Sequence, residues 1–217
     1  MLLIYLLVGL LLLVIVVSFI WRFASRRYKL PCPSWLGWLL ENPFSEAART
    51  AVARLELQPG MVVLDAGCGP GRLTIPIARA LGAKGKVVGM DLQPEMLRRA
   101  KERAKAAGLK NIEFRQAGVG EGHLEKSRYD RALLVTVLGE IPNREAALKE
   151  IFAALKQGGF LSITEIMMDP HYQSRGTILR LAEALGFHEK QFFGNRFSFT
   201  INLERPMSAN GRSFRLL

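Results

Sequence analysis

The stretch Val62-Val63-Leu64-Asp65-Ala66-Gly67-Cys68-Gly69-Pro70-Gly71 carries the clearest chemistry in the chain. An apolar run ends in a carboxylate and passes into glycines at alternate positions. Glycine lets backbone turn sharply and approach a ligand closely, ahead of a helix N-terminus. A dinucleotide dehydrogenase seats its pyrophosphate with the spacing G-x-G-x-x-G. Here the third glycine, Gly71, comes one residue early and is followed by Arg72-Leu73. That spacing disfavours a nicotinamide-dependent oxidoreductase. A second acid, Asp91, closes the next apolar run in Val87-Val88-Gly89-Met90-Asp91. An acid at that place can hold a ribose diol through two hydrogen bonds.

These residues need strand ends to position them, and the pattern supplies strands. Periodicity predicts strands over 61–66, 86–90, 111–115, 129–137 and 160–166, with a final β-rich pair over 187–193 and 197–203 around Gly194-Asn195. Helices are predicted over 45–57, 73–81, 94–107, 145–155 and 173–185. Gly108 and Gly186 follow the last residues of two of them. Strands alternating with helices imply a parallel sheet covered on both faces, with the terminal pair making one edge antiparallel. The basic run Arg98-Arg99-Ala100-Lys101-Glu102-Arg103-Ala104-Lys105 reads as a solvated helix face. A nucleic-acid groove would interleave aromatics, and this run has none.

From about Ser45 to Arg205 the chain resembles a class I S-adenosylmethionine-dependent methyltransferase, and is most similar to the branch of quinone and phospholipid methyltransferases. The matching pieces are LDAGCGPG at 64–71, GMD at 89–91, the region 116–119, YDRALLVTVLGEIP at 129–142 and LKQGGFLSITE at 155–165. The resemblance implies a Rossmann-like, doubly wound α/β fold with seven strands in the order 3-2-1-4-5-7-6, the last antiparallel. It implies S-adenosylmethionine as cofactor and S-adenosylhomocysteine as product. By position, Asp65, Gly67, Cys68, Gly69 and Gly71 form the turn around the methionine part. Asp91 holds the ribose and Leu92 packs on the adenine. Ala117, Gly118 and Val119 flank the adenine, and Val137 and Leu138 lie under the sulfonium. One departure stands out. Many relatives carry Asp where this chain has Gly118, so adenine recognition falls to backbone at 117–119 or to a neighbour such as Glu121.

Methyl transfer from a sulfonium needs alignment above all, and a base only where the nucleophile arrives protonated. Glu140, His171 and Tyr172 are the candidate catalytic groups, with Glu165 and Asp169 nearby. Each has a plainer reading: Glu140 as an acid flanking a helix start, His171 as an exposed loop residue. Arg175 and Arg196 suit a lipid phosphate, or simply solvent. No Cys and His spacing suggests a metal site; the histidines are scattered at 123, 171 and 188, and the two cysteines, Cys32 and Cys68, form no disulfide framework.

Charge is distributed unevenly. The net charge is +11 from 30 Lys and Arg against 19 Asp and Glu, yet residues 1–21 contain none of these. About 30 Å of helix fits that run, the thickness of a hydrocarbon core, so it is expected to be a transmembrane helix. A cleaved signal peptide would carry a positive start and small residues where Phe19, Ile20 and Trp21 stand. Arg22, Arg26, Arg27 and Lys29 follow, which orients the N-terminus outside and the domain in the cytoplasm. Residues 22–44 form a basic juxtamembrane segment, and Trp35 and Trp38 either float it at headgroup depth or cap the domain core. Cys32 is a palmitoylation candidate or a free thiol. The methyltransferase domain occupies 45–217. An anchored domain points to an acceptor living in the bilayer. The sequence leans slightly to a phospholipid amine, with an isoprenoid quinone ring or other lipophilic molecule, methylated on carbon or oxygen, as the alternative. A tethered module that holds cofactor without turnover is a further alternative. Expected partners are a lipophilic acceptor and an anionic membrane surface, without nucleic acid.

Overall fold

A computed structural model describes residues 46–207 and the isolated positions Met1, Tyr5, Gly9, Leu13 and Val16. The transmembrane helix expected over 1–21 and the interfacial segment expected over 22–44 otherwise lie outside the described residues. Among the described residues no helix is long and apolar enough to cross a membrane.

The domain alternates helix and strand: α1 (Glu46–Ala53), β1 (Val62–Ala66), α2 (Thr74–Leu81), β2 (Lys86–Asp91), α3 (Pro94–Ala106), β3 (Ile112–Gln116), β4 (Tyr129–Val135), α4 (Arg144–Ala154), β5 (Leu155–Ile166), α5 (Arg175–Glu183), β6 (His188–Gly194) and β7 (Ser198–Glu204). The strands form one sheet in the order β3-β2-β1-β4-β5-β7-β6. β3, β2, β1, β4 and β5 are mutually parallel. β7 runs antiparallel to both β5 and β6. The expected sheet order and strand directions are therefore the observed ones. β5 starts earlier than expected, at Leu155 in place of Phe160. Its register against β4 shifts between Tyr129↔Leu155 and Arg131↔Phe160, so the glycines at 158 and 159 sit within a bulge.

Strand alternation splits the core into two layers. On one face Leu64, Val88, Leu134, Leu161 and Ile163 pack under Leu148 and Ile151 of α4 and Ile178 of α5. On the other, Val63, Val87, Leu133 and Phe160 meet Ala48 of α1 and Ile77 and Leu81 of α2. The basic run on α3 is a solvated face. Glu95 pairs with Arg98 and Arg99, and Glu102 pairs with Arg98, while Met96, Leu97, Ala100 and Ala104 face inward. Arg103 also reaches back, donating from Nη1 to the Pro70 carbonyl at 3.2 Å.

Winding reverses between β1 and β4, because the chain builds outward from β1 to β3 and then returns to β4 on the other side. Connections leaving the carboxyl ends of β1 and β4 diverge there and leave a crevice. Helix starts around it are capped locally. Asn143 Oδ1 accepts from the Ala146 N–H at 3.0 Å, and Ser174 Oγ accepts from the Thr177 N–H at 3.2 Å. The loop after β3 is held by α4: the Glu150 carboxylate accepts from the backbone N–H of Gly120 and, at 2.8 Å, of Leu124.

Glu150→Ala leaves those two amides without their partner, which costs roughly 1–3 kcal/mol. Its denaturant midpoint should fall and cofactor binding should weaken, while Lys149→Ala, on the exposed side of α4, should change neither. Equilibrium unfolding with a parallel binding titration checks both.

Candidate active site

The crevice at the carboxyl ends of β1 and β4 is a cleft of about 250 Å³. Its walls include Gly67, Gly69, Asp91, Leu92, Met96, Ala117, Gly118, Val119, Glu121, Val137, Glu140 and Ile141. A larger depression of about 800 Å³ lies at the opposite end of β2 and β3, lined by Arg79, Lys84, Lys86 and Lys110 without any carboxylate or thiol. It lies at the end of the strands away from the glycine turn and Asp91, which line the cleft.

The glycine turn is sewn to β2. The N–H groups of Gly67 and Cys68 both donate to the Met90 carbonyl, at 2.8 and 2.9 Å. The Asp91 carboxylate completes the attachment: Oδ2 accepts from the Gly69 N–H at 2.9 Å and Oδ1 from the Gln93 N–H at 2.8 Å. A carboxylate has about four lone-pair sites, so both oxygens keep capacity for a ligand diol. Burial raises the pKa of Asp91. Gly67, at φ +74°, has no room for a side chain, because an added Cβ would meet Val137 Cγ1 at 2.9 Å and lie closer still to Cγ2. The missing Cβ thus lets Val137 reach under the turn. Thr136 aims it there by adopting φ +56°, a left-handed conformation that is costly for a β-branched residue.

Asp65 stands behind this surface. It is 4% exposed and accepts from Thr74 Oγ1 at 2.6 Å. Burial pushes its carboxyl up to about 6, and the nearby Asp91 charge adds to the shift. Cys68 is buried, with its thiol pKa raised by burial. Gly71 packs its Cα side toward Ala100 of α3, and Leu138 is fully buried in the core. Of the turn and strand residues expected around the cofactor, Gly67, Gly69, Asp91, Leu92 and Val137 line the cleft. Asp65, Cys68, Gly71 and Leu138 support it from behind.

Gly118 has a physical explanation. A Cβ added there would overlap the Glu121 carboxylate, which also accepts from the Gly118 N–H at 3.3 Å. Glu121 folds back along the loop and puts its carboxylate beside position 118, on the cleft wall. His123 Nε2 lies 3.3 Å from the same carboxylate. The acid absent at 118 is thus supplied in space by Glu121, with Ala117 and Val119 completing that side.

The candidate catalytic groups separate. Glu140 lines the cleft. His171 and Tyr172 do not; they brace the loop after β5. The His171 N–H donates to Asp169 Oδ1 at 2.7 Å, and its carbonyl accepts from Gln173 Nε2 at 2.7 Å and abuts Gly139. His171 is buried, contrary to the exposed loop residue that was its plainer reading. Tyr172 Oη donates to the Arg196 carbonyl at 2.9 Å, and its ring meets Phe199 edge-on. Glu165 lies below this loop and is 1% exposed. Its Oε2 accepts from the Gln173 N–H at 3.1 Å, and its Oε1 has no partner among the described residues. Burial, reinforced by Asp169 and Glu140, pushes its pKa up to about 8, so it is neutral at pH 7. Its position at a strand end is readable from sequence; its desolvation depends on the loop folded over it. Among the described residues no cluster of His, Cys, Asp and Glu is arranged to hold a metal ion.

The family described as "Methyltransferase domain" matches residues 57–192. The chain belongs to this family. Its relatives include the demethylmenaquinone methyltransferase of Lactococcus lactis subsp. lactis (strain IL1403), 38% identical over 100 residues, which are 46% of this chain and 40% of the relative. The enzyme of the same name from Bacillus cereus (strain B4264) is 34% identical over 105 residues, 48% of this chain and 44% of its own. The match thus spans less than half of these relatives. Among solved structures, a SAM-dependent methyltransferase from Aquifex aeolicus superposes with TM-score 0.66 at 24% identity, covering 82% of this chain and 96% of the other. Magnesium protoporphyrin IX methyltransferase from Synechocystis PCC 6803 with bound SAM gives TM-score 0.62 at 23% identity, covering 74% and 78%. These structures share the fold. The chain carries an S-adenosylmethionine-dependent methyltransferase domain.

The cleft fits that cofactor. Asp91 offers both oxygens to a diol, Leu92, Met96 and Ile141 give an apolar slot, and the Glu121 carboxylate suits an amino group. Asp65 and Asp91 place negative charge behind the turn, which favours a sulfonium cation. When bound, the cofactor supplies an electrophilic methyl on sulfur; the chain supplies its alignment.

Two outcomes follow. Glu121→Gln keeps the side chain's shape and removes its charge, so S-adenosylmethionine affinity should fall about tenfold, close to 1.4 kcal/mol; calorimetric titration reads this directly. Glu165 has a raised folded-state pKa, so it binds more protons folded than unfolded between its ordinary 4.5 and about 8. Its burial therefore costs stability that grows as pH rises through that window, to roughly 3–5 kcal/mol. Glu165→Gln should raise the melting temperature at pH 8.5 and lose that advantage near pH 5. Equal melting curves at pH 8.5 would show that Glu165 is solvated.

Proposed function

We propose that this methyltransferase methylates the ring of an isoprenoid quinone in its reduced, quinol form, acting at a membrane surface. One observation carries the reading: relatives of this chain are named demethylmenaquinone methyltransferase. The phospholipid amine that the sequence leans toward finds no support among them, and the quinone alternative takes its place.

The cleft is suited to this chemistry. Glu140 is among the residues that line it, and its N–H donates to the Val137 carbonyl at 2.9 Å. In the proposed step Glu140 takes the proton of a ring hydroxyl, which raises electron density on the neighbouring ring carbon. That carbon forms a bond to the methyl group while the carbon–sulfur bond breaks, and sulfur keeps the electron pair as S-adenosylhomocysteine. The ring then loses its own C–H proton and the oxygen is reprotonated, so the net products are methylated quinol and one proton. Ile141 and Pro142 extend the wall outward from Glu140 and suit an aromatic acceptor.

Membrane attachment belongs to the same reading. The uncharged residues 1–21 and the basic residues after them support a single span, N-terminus outside and catalytic domain in the cytoplasm. Tyr5, Gly9, Leu13 and Val16 are helical, and Tyr5, Leu13 and Val16 leave their apolar side chains exposed. A tethered domain meets a bilayer-resident acceptor at high effective concentration.

The full chain in lipid vesicles, given methyl-labelled cofactor, should label a demethylated polyprenyl naphthoquinol and leave phosphatidylethanolamine unlabelled. Label in the phospholipid would reverse the choice of acceptor. Glu140→Gln should lower kcat by about 100-fold or more with cofactor affinity unchanged, as for loss of a general base.

A further inference from the structure

At the cleft end of the sheet, an apolar rim projects beyond the strands. Ile166 ends β5, and Met167 and Met168 follow it. Because β7 is antiparallel to β5 and pairs Ile166↔Ser198, the turn between β6 and β7 emerges at this same end. The two segments are joined: the Met167 N–H donates to the Phe197 carbonyl at 2.7 Å, and Tyr172 Oη bonds the Arg196 carbonyl. Three large apolar side chains stand on this rim in water: Met168 at 81% exposure, Phe197 at 53% and Ile166 at 39%. Thr136, on the cleft wall, donates its N–H to Thr164 two residues before Ile166, so rim and cleft share one end of the sheet.

Charge around the rim is not neutral in arrangement. The Arg196 guanidinium lies over the Phe197 ring at 4.8 Å, at the tip of the turn. Arg175 lies over Phe192 and is paired with Glu189, which pairs near the opposite end of β6. The acid within the rim segments is Asp169, and its carboxylate is turned to the His171 N–H. Bulky apolar and aromatic side chains with a cation stacked on one of them is the composition that seats in a headgroup layer.

We propose that the rim formed by Ile166, Met168 and Phe197, with Arg196 at its tip, is a docking surface for an anionic bilayer. It holds the catalytic domain with its cleft facing the membrane. This rests on the membrane reading above and adds the surface and the orientation. Met168 and Phe197 enter the boundary between headgroups and acyl chains, and Arg196 meets lipid phosphates. A quinol leaving the bilayer then reaches Glu140 along the rim.

The test uses the full chain with Cys32→Ser; Cys68 is buried, so a cysteine introduced at Met168, Phe197 or Ala83 is the accessible thiol that carries an environment-sensitive fluorophore. Ala83 is exposed at the opposite end of the sheet. Vesicles contain phosphatidylcholine and phosphatidylglycerol at 7:3, with spin-labelled acyl chains as quencher. Labels at 168 and 197 should shift to the blue, at least double in emission and be quenched, while the label at 83 changes in none of these. If the chain sediments with the vesicles but 168 and 197 behave like 83, the docking surface is wrong and membrane attachment stands. Failure to sediment overturns both. Shielding of 168 and 197 without vesicles would show the rim covered by another part of the chain or by a second copy, and would also overturn the proposal. Arg196→Glu should reduce the blue shift at 197 at least threefold on these vesicles, with cofactor affinity unchanged.

Discussion

Two oxygen atoms hold the site together. The Asp91 carboxylate at the end of β2 accepts from Gly69 in the turn after β1 and from Gln93 at the start of α3. Two strand ends and a helix start are thereby fixed around one charge. Parallel strands bring these segments side by side without fixing their loops. The carboxylate supplies what the ladder lacks, and it is also the group placed to meet the cofactor. Stability of the turn and recognition of the ligand thus use the same atoms.

Around this centre the cleft is built from contributions far apart in the chain. The segment after β4 provides its floor through Val137, turned inward by Thr136. The loop after β3 provides a carboxylate from Glu121 and is itself held by Glu150 of α4. The loop after β5 closes over Glu165 and is anchored to the β6–β7 turn by Tyr172. The acidic groups divide by environment. Asp91 keeps oxygens on the cleft, whereas Asp65 and Glu165 are buried behind it, and burial raises the pKa of all three.

Much of the fold is legible in the sequence, because strands buried on both faces read as short apolar runs and the glycines mark their ends. The start of β5 is not legible: Lys156 to Gly159 looks like a turn, and only pairing of Leu155 with Tyr129 across a bulge makes it strand. The glycine turn and Asp91 are legible for the same reason that they work, since their geometry is set by near neighbours. Glu121 is legible only as a neighbour of Gly118, and its replacement of the missing side chain depends on a fold-back that spacing does not dictate. His171 and Tyr172 look like reactive loop residues in sequence. The partner of Tyr172 is 24 positions away, and no local pattern records it.

The contact between Gly67 and Val137 has a consequence for descent. The floor of the cleft is a joint of two halves, a hollow on β1 and a branched side chain from beyond β4 that fills it. Neither half can drift alone: a larger residue at 67 demands a smaller one at 137, and a smaller one at 137 opens a void beneath the methyl donor. Lineages carrying this domain should therefore inherit the two positions as a matched pair, although 70 residues of chain separate them.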